Sequence, residues 1–223
     1  MKRIAIIDVG SNSARLVIME VHTSHACNLV YNQKDPLRLA LKTDRKGYLT
    51  EEAFAATTNC LKNFASMCRI FHVDETIAVA TAAIRNAPNG AKLAKAASQA
   101  SGINLEIISG KTEAYLSYLG VINTIAVNDA VIFDLGGAST EVILVRDRKL
   151  VESVSLPIGC VNLTKNFKLN NMADPAALNK MRRAINDGKV EYADLLLSQV
   201  PFQMEYGIFG DIDAAIIEAC AID

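Results

Sequence analysis

The sequence contains no tryptophan, and aromatic residues make up only 6% of it. That scarcity disfavours a platform on which nucleic-acid bases stack. Positive charge is not in excess either: 23 Lys and Arg stand against 24 Asp and Glu, so no nucleic-acid partner is expected. Cysteine is sparse and odd in number, five in 223 residues, with no C-x-x-C pair. Cys60 and Cys68 fall on one face of a predicted helix, which points to buried free thiols rather than disulfides or metal ligands. No apolar run is long enough to span a membrane, and the chain opens on a strand with no signal-peptide pattern. These absences lead to the expectation of a protein of the reducing cytoplasm with no membrane partner. His22, His25 and His72 have no ligand spacing and read as surface residues.

What is present is apolar: 51% of the chain, enough for a sizeable core in one or two domains. One turn occurs twice. The stretch IIDVGSNSARLVI at residues 6–18 and the stretch IFDLGGASTEVILV at 132–145 align in acid, glycine, hydroxyl and apolar run. Asp8 falls on Asp134, Gly10 on Gly136, Ser13 on Ser139, and Leu16-Val17-Ile18 on Val142-Ile143-Leu144. Around the first copy the pattern predicts strands over 4–9, 15–21 and 27–33. A helix capped by Thr50 then carries Glu51 and Glu52 in its first turn. A strand over 76–80, a helix over 89–100 stopped at Gly102, a strand over 105–108 and a helix over 112–122 follow. The pattern then restarts with strands over 130–135, 140–145 and 149–155. Asp174-Pro175 reads as a further helix start and 203–208 as one more strand. Two related α/β units are expected, 1–125 and 126–223, with their acid-glycine turns facing across a cleft.

Phosphate is bound well by backbone N–H donors, and glycine lets a backbone come close. Gly136, Gly137, Ser139 and Thr140 supply this in one turn, and Gly10, Ser11, Asn12 and Ser13 in the other. Carboxylates beside phosphate imply a divalent cation between them. Asp134 ends one strand and Glu141 begins the next, so the turn brings both toward one Mg²⁺. Hydrolysis further needs a group to orient water and a positive charge near the transferred phosphoryl. Glu113 lies just inside a helix start after Ser109-Gly110, and Arg85 follows a strand end in TAAIRN. Taken singly, each has a plainer reading: a tight hairpin, a helix-start acid favoured by the dipole, a surface charge. Lys165 and Lys168 are candidates to extend an anion site, although Lys180, Arg182 and Arg183 read as a solvated helix face.

With these residues in hand, the chain resembles the Ppx/GppA family of exopolyphosphatases and guanosine pentaphosphate phosphohydrolases, within the actin/Hsp70/sugar-kinase superfamily. The likeness rests on IDVGSNSARLVI, ATAAIRNAPNG, ISGKTEA, FDLGGASTE and LPIGCVNLT, in family order over residues 1 to about 165. It implies two ribonuclease-H-like (actin-like ATPase) domains facing across a cleft. It implies Mg²⁺-assisted release of a terminal phosphate from inorganic polyphosphate or guanosine pentaphosphate, the latter a substrate of the stringent response. It implies Glu113 as the water-activating base, Arg85 as the phosphate-binding arginine, and Asp134 and Glu141 on the magnesium side. Ser11, Asn12, Ser13, Gly136, Gly137 and Ser139 fall to the phosphate loops. The chain departs from the family pattern at Ala138, where a third glycine is usual, and at Lys111 and Thr112, where acids are usual. Asn162 stands where arginine is frequent, and Phe209-Gly210-Asp211 where a Gly-Gly-Thr turn is normal. The last departure reads as a shortened second domain with an exposed edge, which favours a homodimer. Two rival functions remain open: a non-catalytic phosphate or nucleotide binder, and a sugar-kinase-like phosphotransferase.

Overall fold

The computed structural model describes residues 1–24 and 26–167. The helix expected from Asp174-Pro175, the strand over 203–208, Lys168, His25 and the Phe209-Gly210-Asp211 departure lie outside the described residues. Within them the fold is α/β and built on two sheets. The first comprises β1 (Lys2–Val9), β2 (Ser13–Val21), β3 (Cys27–Pro36), β4 (Glu75–Ala80) and β5 (Leu105–Ile107), in the order β3-β2-β1-β4-β5. β1, β2 and β3 are antiparallel, and β4 then β5 add in parallel. The second sheet comprises β6 (Ala130–Leu135), β7 (Thr140–Arg146) and β8 (Lys149–Leu156), antiparallel and in chain order. Both sheets therefore open with the three antiparallel strands the repeat implied.

β1 is apolar on both faces because both faces are covered. Ala5, Ile7 and Val9 turn into one core with helices α1 (Glu51–Ile70) and α3 (Gly90–Ser101), around the fully buried Phe64, Leu61 and Leu93. Ile4 and Ile6 turn the other way, with Val79, Ile108 and Leu116. The helix boundaries follow local chemistry. The Thr50 hydroxyl accepts from the Ala53 N–H at the start of α1, where Glu51 and Glu52 meet the positive end of the dipole. Gly102 stops α3 with φ 78°, a left-handed cap that suits glycine.

Leu116 belongs to α4 (Gly110–Thr124), and this helix faces both sheets. Leu116 touches the first sheet, while Ala114 and Ile122 pack on Ile143 and Val145 of the second. A helix apolar on more than one side has to be covered on more than one side. The chain thus gives α4 to the interface between the two sheets, so its first turn stands where they meet. Two short helices escape the sequence pattern: α2 (Ala82–Arg85) and α5 (Cys160–Phe167). Neither is long enough to show a clear helical period.

Cys60 and Cys68 are buried free thiols on α1. Burial, aided by the neighbouring Asp35 carboxylate, pushes the Cys60 thiol up to about 12 from its ordinary 9.0. The folded chain therefore holds that proton more tightly than the unfolded one. The sign of the linkage follows: the thiol's contribution to stability is intact below pH 9 and is lost as pH rises toward 12. We predict that the urea midpoint falls between pH 9 and 10.5 and that Cys60→Ala flattens the fall. At neutral pH, Cys160, which is exposed, should react with a maleimide and Cys60 should not. Mass spectrometry of the labelled chain checks this, and equal labelling of both would contradict it.

Candidate active site

The two repeated turns have the same internal geometry. Gly10 N–H donates to the Ser13 carbonyl at 3.0 Å, and Gly136 N–H to the Ser139 carbonyl at 3.0 Å. A Cβ on Gly10 would lie 3.2 Å from Ser13 O, and one on Gly136 would lie 3.1 Å from Ser139 O. The register across the strands repeats as well, with Asp8 opposite Arg15 and Asp134 opposite Glu141. The turns also meet. A Cβ on Gly137 would lie 3.1 Å from Ser11 Cβ and 3.7 Å from Asn12 Cβ, so the second turn rests directly against the first. Ser11 and Ser139 are buried there, and Asn12 is exposed.

Both turns have their carbonyls drawn off to one side. In the first, Arg38 N–H donates to Asn12 O at 2.7 Å and Ala40 N–H to Ser11 O at 3.0 Å. In the second, Cys160 N–H donates to Gly136 O at 3.0 Å and Val161 N–H to Gly137 O at 2.9 Å. A planar trans peptide points its N–H opposite to its C=O, so the amides that follow these carbonyls face the other way. That arrangement suits an anion.

Glu113 stands in the first turn of α4, behind a Ser109 cap whose hydroxyl accepts from Thr112 N–H at 3.0 Å. Its side chain is only 5% exposed, and Arg85 Nη1 donates to Glu113 Oε2 at 2.5 Å. Arg85 ends the one-turn helix α2 and also donates to the Ile108 carbonyl at 3.2 Å. Its place is fixed by packing. Ile84 is fully buried, and a Cβ on Gly90 would lie 1.8 Å from the Ile84 carbonyl. The NAPNG segment thus lets α3 start against the back of α2. Arg85 is therefore no ordinary surface charge.

Three carboxylates share this region. Burial raises the Glu113 carboxyl above its ordinary value; the Arg85 hydrogen bond and charge pull it back, and burial prevails. Asp134 adds to the rise, and Thr81 hydrogen-bonds the carboxylate and opposes it. The Glu141 carboxyl is pushed up to about 7, first by burial and then by the charges of Glu113 and Asp134. Ser117 donates to Asp134 Oδ2 at 2.5 Å, and Ser155 donates to Glu141 Oε1 at 2.6 Å. Gly110 makes room for that serine: a Cβ there would lie 2.5 Å from Ser155 Cβ. A cleft of about 400 Å³, lined by Arg85, Asn86, Gly110, Ser139, Ser155 and Pro157, opens beside the group.

All ten residues expected at the site thus lie in or around the two turns and the Glu113–Arg85 pair. Sequence reasoning missed Ser117, Ser155 and Thr81. Ser117 is four residues after Glu113 on one helix face, which was a usable signal. Thr81 sits inside a quoted motif, and nothing local marks Ser155. Lys165 turns away from an anion role: its Nζ donates to Thr43 Oγ1 at 2.8 Å and approaches Ala40 O at 3.4 Å.

Among the described residues, no group of three or more His, Cys, Asp or Glu is arranged to hold a metal ion. Magnesium asks for less, one or two carboxylates completed by waters and substrate phosphates. The cross-strand pair Asp134 and Glu141 meets that requirement, and crowded acids of this kind favour a cation among them. No helix among the described residues is long and apolar enough to cross a membrane.

The sequence model of the Ppx/GppA phosphatase family matches residues 17–209. The chain belongs to this family. It is 37% identical over 158 residues to a guanosine-5′-triphosphate,3′-diphosphate pyrophosphatase of Pseudoalteromonas atlantica, covering 70% of this chain and 31% of that protein. It is 32% identical over 194 residues to exopolyphosphatase 2 of Mycobacterium tuberculosis, covering 82% of this chain and 60% of that one. The crystal structure of an exopolyphosphatase from Cytophaga hutchinsonii superposes with a TM-score of 0.83 at 25% identity, covering 91% of this chain and 65% of that one. The Ppx/GppA chain thus spans less than two thirds of each of these relatives, and it shares the family's α/β fold.

Removing one member of a buried ion pair strands the other, typically at up to about 3–5 kcal/mol. Arg85→Met should lower stability on that order, and adding Glu113→Gln to the same chain should recover most of the loss. Urea denaturation of the wild type, both single variants and the double variant closes the cycle. Additive losses would show that the two side chains are not coupled.

Proposed function

We propose that this chain is a Mg²⁺-dependent phosphoanhydride hydrolase that releases the terminal phosphate of inorganic polyphosphate or guanosine pentaphosphate. The observation that carries the reading is the meeting of two turns with the same closing hydrogen bond beside a buried carboxylate held by an arginine. The relatives named as an exopolyphosphatase and as a guanosine-5′-triphosphate,3′-diphosphate pyrophosphatase support both substrates. On this reading the chain divides at residue 125, works in the cytoplasm and is able to self-associate as a homodimer.

On this reading each residue takes a role that the geometry supports. The turns at Ser11, Asn12 and Ser13 and at Gly136, Gly137 and Ser139 hold phosphate oxygens through backbone amides and hydroxyls. Arg85, anchored on Glu113 and on the Ile108 carbonyl, keeps donors on the cleft wall that meet the negative charge of the transferred phosphoryl. Glu113 orients the attacking water and takes its proton. Its raised carboxyl suits this, because a base works best with a pKa near the working pH. Arg85 keeps that carboxylate from drifting, at some cost in basicity. Asp134 and Glu141 would hold the cation, and Mg²⁺ there would supply neutralisation of the negative charge on the substrate. The Ser117 and Ser155 hydroxyls fix the two carboxylates in place.

Phosphate release from polyphosphate and from guanosine pentaphosphate, each with Mg²⁺, tests the reading; no release from either would defeat it. Glu113→Gln keeps the size of the side chain and removes its basicity. Turnover should then fall about 10²–10⁴-fold while polyphosphate binding changes little. If stability alone falls and turnover holds, Glu113 is structural and the assignment is wrong. Asp134→Asn and Glu141→Gln should each shift the Mg²⁺ concentration for half-maximal activity upward, because a neutral amide is a poorer ligand for a hard cation. An unshifted midpoint in both variants would place the metal elsewhere.

A further inference from the structure

The two turns align residue for residue, so Ser11 corresponds to Gly137 and Asn12 to Ala138. The carbonyls at these two positions are each held by a hydrogen bond, but the donor at the second position differs in kind. Ser11 O accepts a backbone N–H from Ala40, and Gly137 O accepts one from Val161. Asn12 O accepts a backbone N–H from Arg38, but Ala138 O accepts from the side chain of Asn162, whose Nδ2 lies 3.1 Å away. A side-chain amide in the second unit does what a main-chain amide does in the first.

Asn162 is placed to do this. It sits in the first turn of α5, half-buried, and its Oδ1 accepts from Gly159 N–H at 2.8 Å. Its Nδ2 also lies 3.3 Å from the Pro157 carbonyl. The side chain therefore joins both ends of the 157–159 segment to Ala138. Gly159 is pressed on the preceding peptide, Gly137–Ala138: a Cβ there would lie 2.4 Å from Ala138 N and 2.4 Å from Gly137 C. Few side chains satisfy all three contacts. A carboxylate would turn an oxygen toward two carbonyls. An arginine has no acceptor for the Gly159 N–H. An aliphatic side chain would leave all three groups without this partner.

We propose that Asn162 is a positioning residue of the second phosphate turn. By holding the Ala138 carbonyl toward α5 it turns the next amide, Ser139 N–H, toward the cleft, where Ser139 forms part of the wall. The inference rests on the reading that this turn binds phosphate. It deepens that reading by assigning the orientation of one donor to a side chain that does not itself touch the ligand.

The probe is tripolyphosphate with Mg²⁺, and the full chain is compared with Asn162→Leu by calorimetry and by ¹⁵N amide shifts. Misplacing one preorganised donor should weaken binding about tenfold or more. The expected result is a raised Kd at unchanged stoichiometry, with the Ser139 amide shift on titration lost. A role in stability alone would reduce the binding-competent fraction, so that stoichiometry drops and Kd holds; that outcome overturns the proposal. An unchanged Kd with the Ser139 amide still shifting overturns it as well. If Asn162→Leu does not fold, Asn162→Ser is measured in its place, since a hydroxyl cannot span Gly159 and Ala138 together, and the same outcomes apply. If the wild type does not bind tripolyphosphate, the phosphate-turn reading fails and this inference falls with it. If the wild type binds and the variant binds equally, only the role of Asn162 is lost.

Discussion

A carboxylate taken out of water needs a compensating charge, and Glu113 receives it from Arg85 at 2.5 Å. The two groups come from different parts of the fold. Arg85 follows β4 of the first sheet, whereas Glu113 stands in the first turn of α4, most of whose buried face lies on the second. The ion pair therefore joins the sheets at the point where the two turns meet. Much of the surrounding structure exists to hold its ends. Gly90 lets α3 abut α2 behind Arg85, Ser109 caps α4 ahead of Glu113, and Gly110 admits Ser155 against Glu141. Loosening any of these would move a charge inside a poorly solvated space, where small displacements are costly.

Burial and charge oppose one another here, and their balance shapes the chemistry. Arg85 alone would depress the Glu113 carboxyl; desolvation and Asp134 raise it more than Arg85 and Thr81 lower it. A base that was only paired would be too weak, and one that was only buried would stay protonated and unanchored. Among the described residues no arginine pairs with Glu141, and its carboxyl rises to about 7 under burial and two acidic neighbours. The asymmetry separates the roles on the proposed reading. The arginine-held carboxylate handles the water, and the crowded pair across β6 and β7 favours a cation.

The first sheet and the repeated turn were legible because they depend on local signals. A continuous apolar run, a Thr50 cap and a glycine stop lie within a few residues of what they determine. The register of Asp8 on Asp134 survived in three dimensions because a tight turn fixes its own geometry. Less was visible where the structure depends on long-range contacts. Arg85 and Glu113 are 28 residues apart, and Ser155 and Glu141 are 14 apart on neighbouring strands. No periodicity links such pairs. The one-turn α2 and the short α5 were hidden because both are shorter than the window of about 11 residues over which a helical period is read. Asn162 was noticed only as a departure from arginine, and its three hydrogen bonds could not be inferred from its identity.

The duplication shows which features such a turn keeps and which it leaves free. Both copies keep the glycine, the closing hydrogen bond to a serine carbonyl, and carbonyls drawn to one side. These set the direction of the amides, so they cannot drift independently. The residue opposite the acid is under no such constraint, and there the copies diverge. Asp8 faces Arg15 in register, a pair of zero net charge, while Asp134 faces Glu141, a pair carrying two negative charges when both are ionised. Two acids at adjacent strand positions repel unless a cation or a proton lies between them. On the proposed reading, the divalent ion belongs with the second turn. One shared geometry thus carries two electrostatically distinct settings.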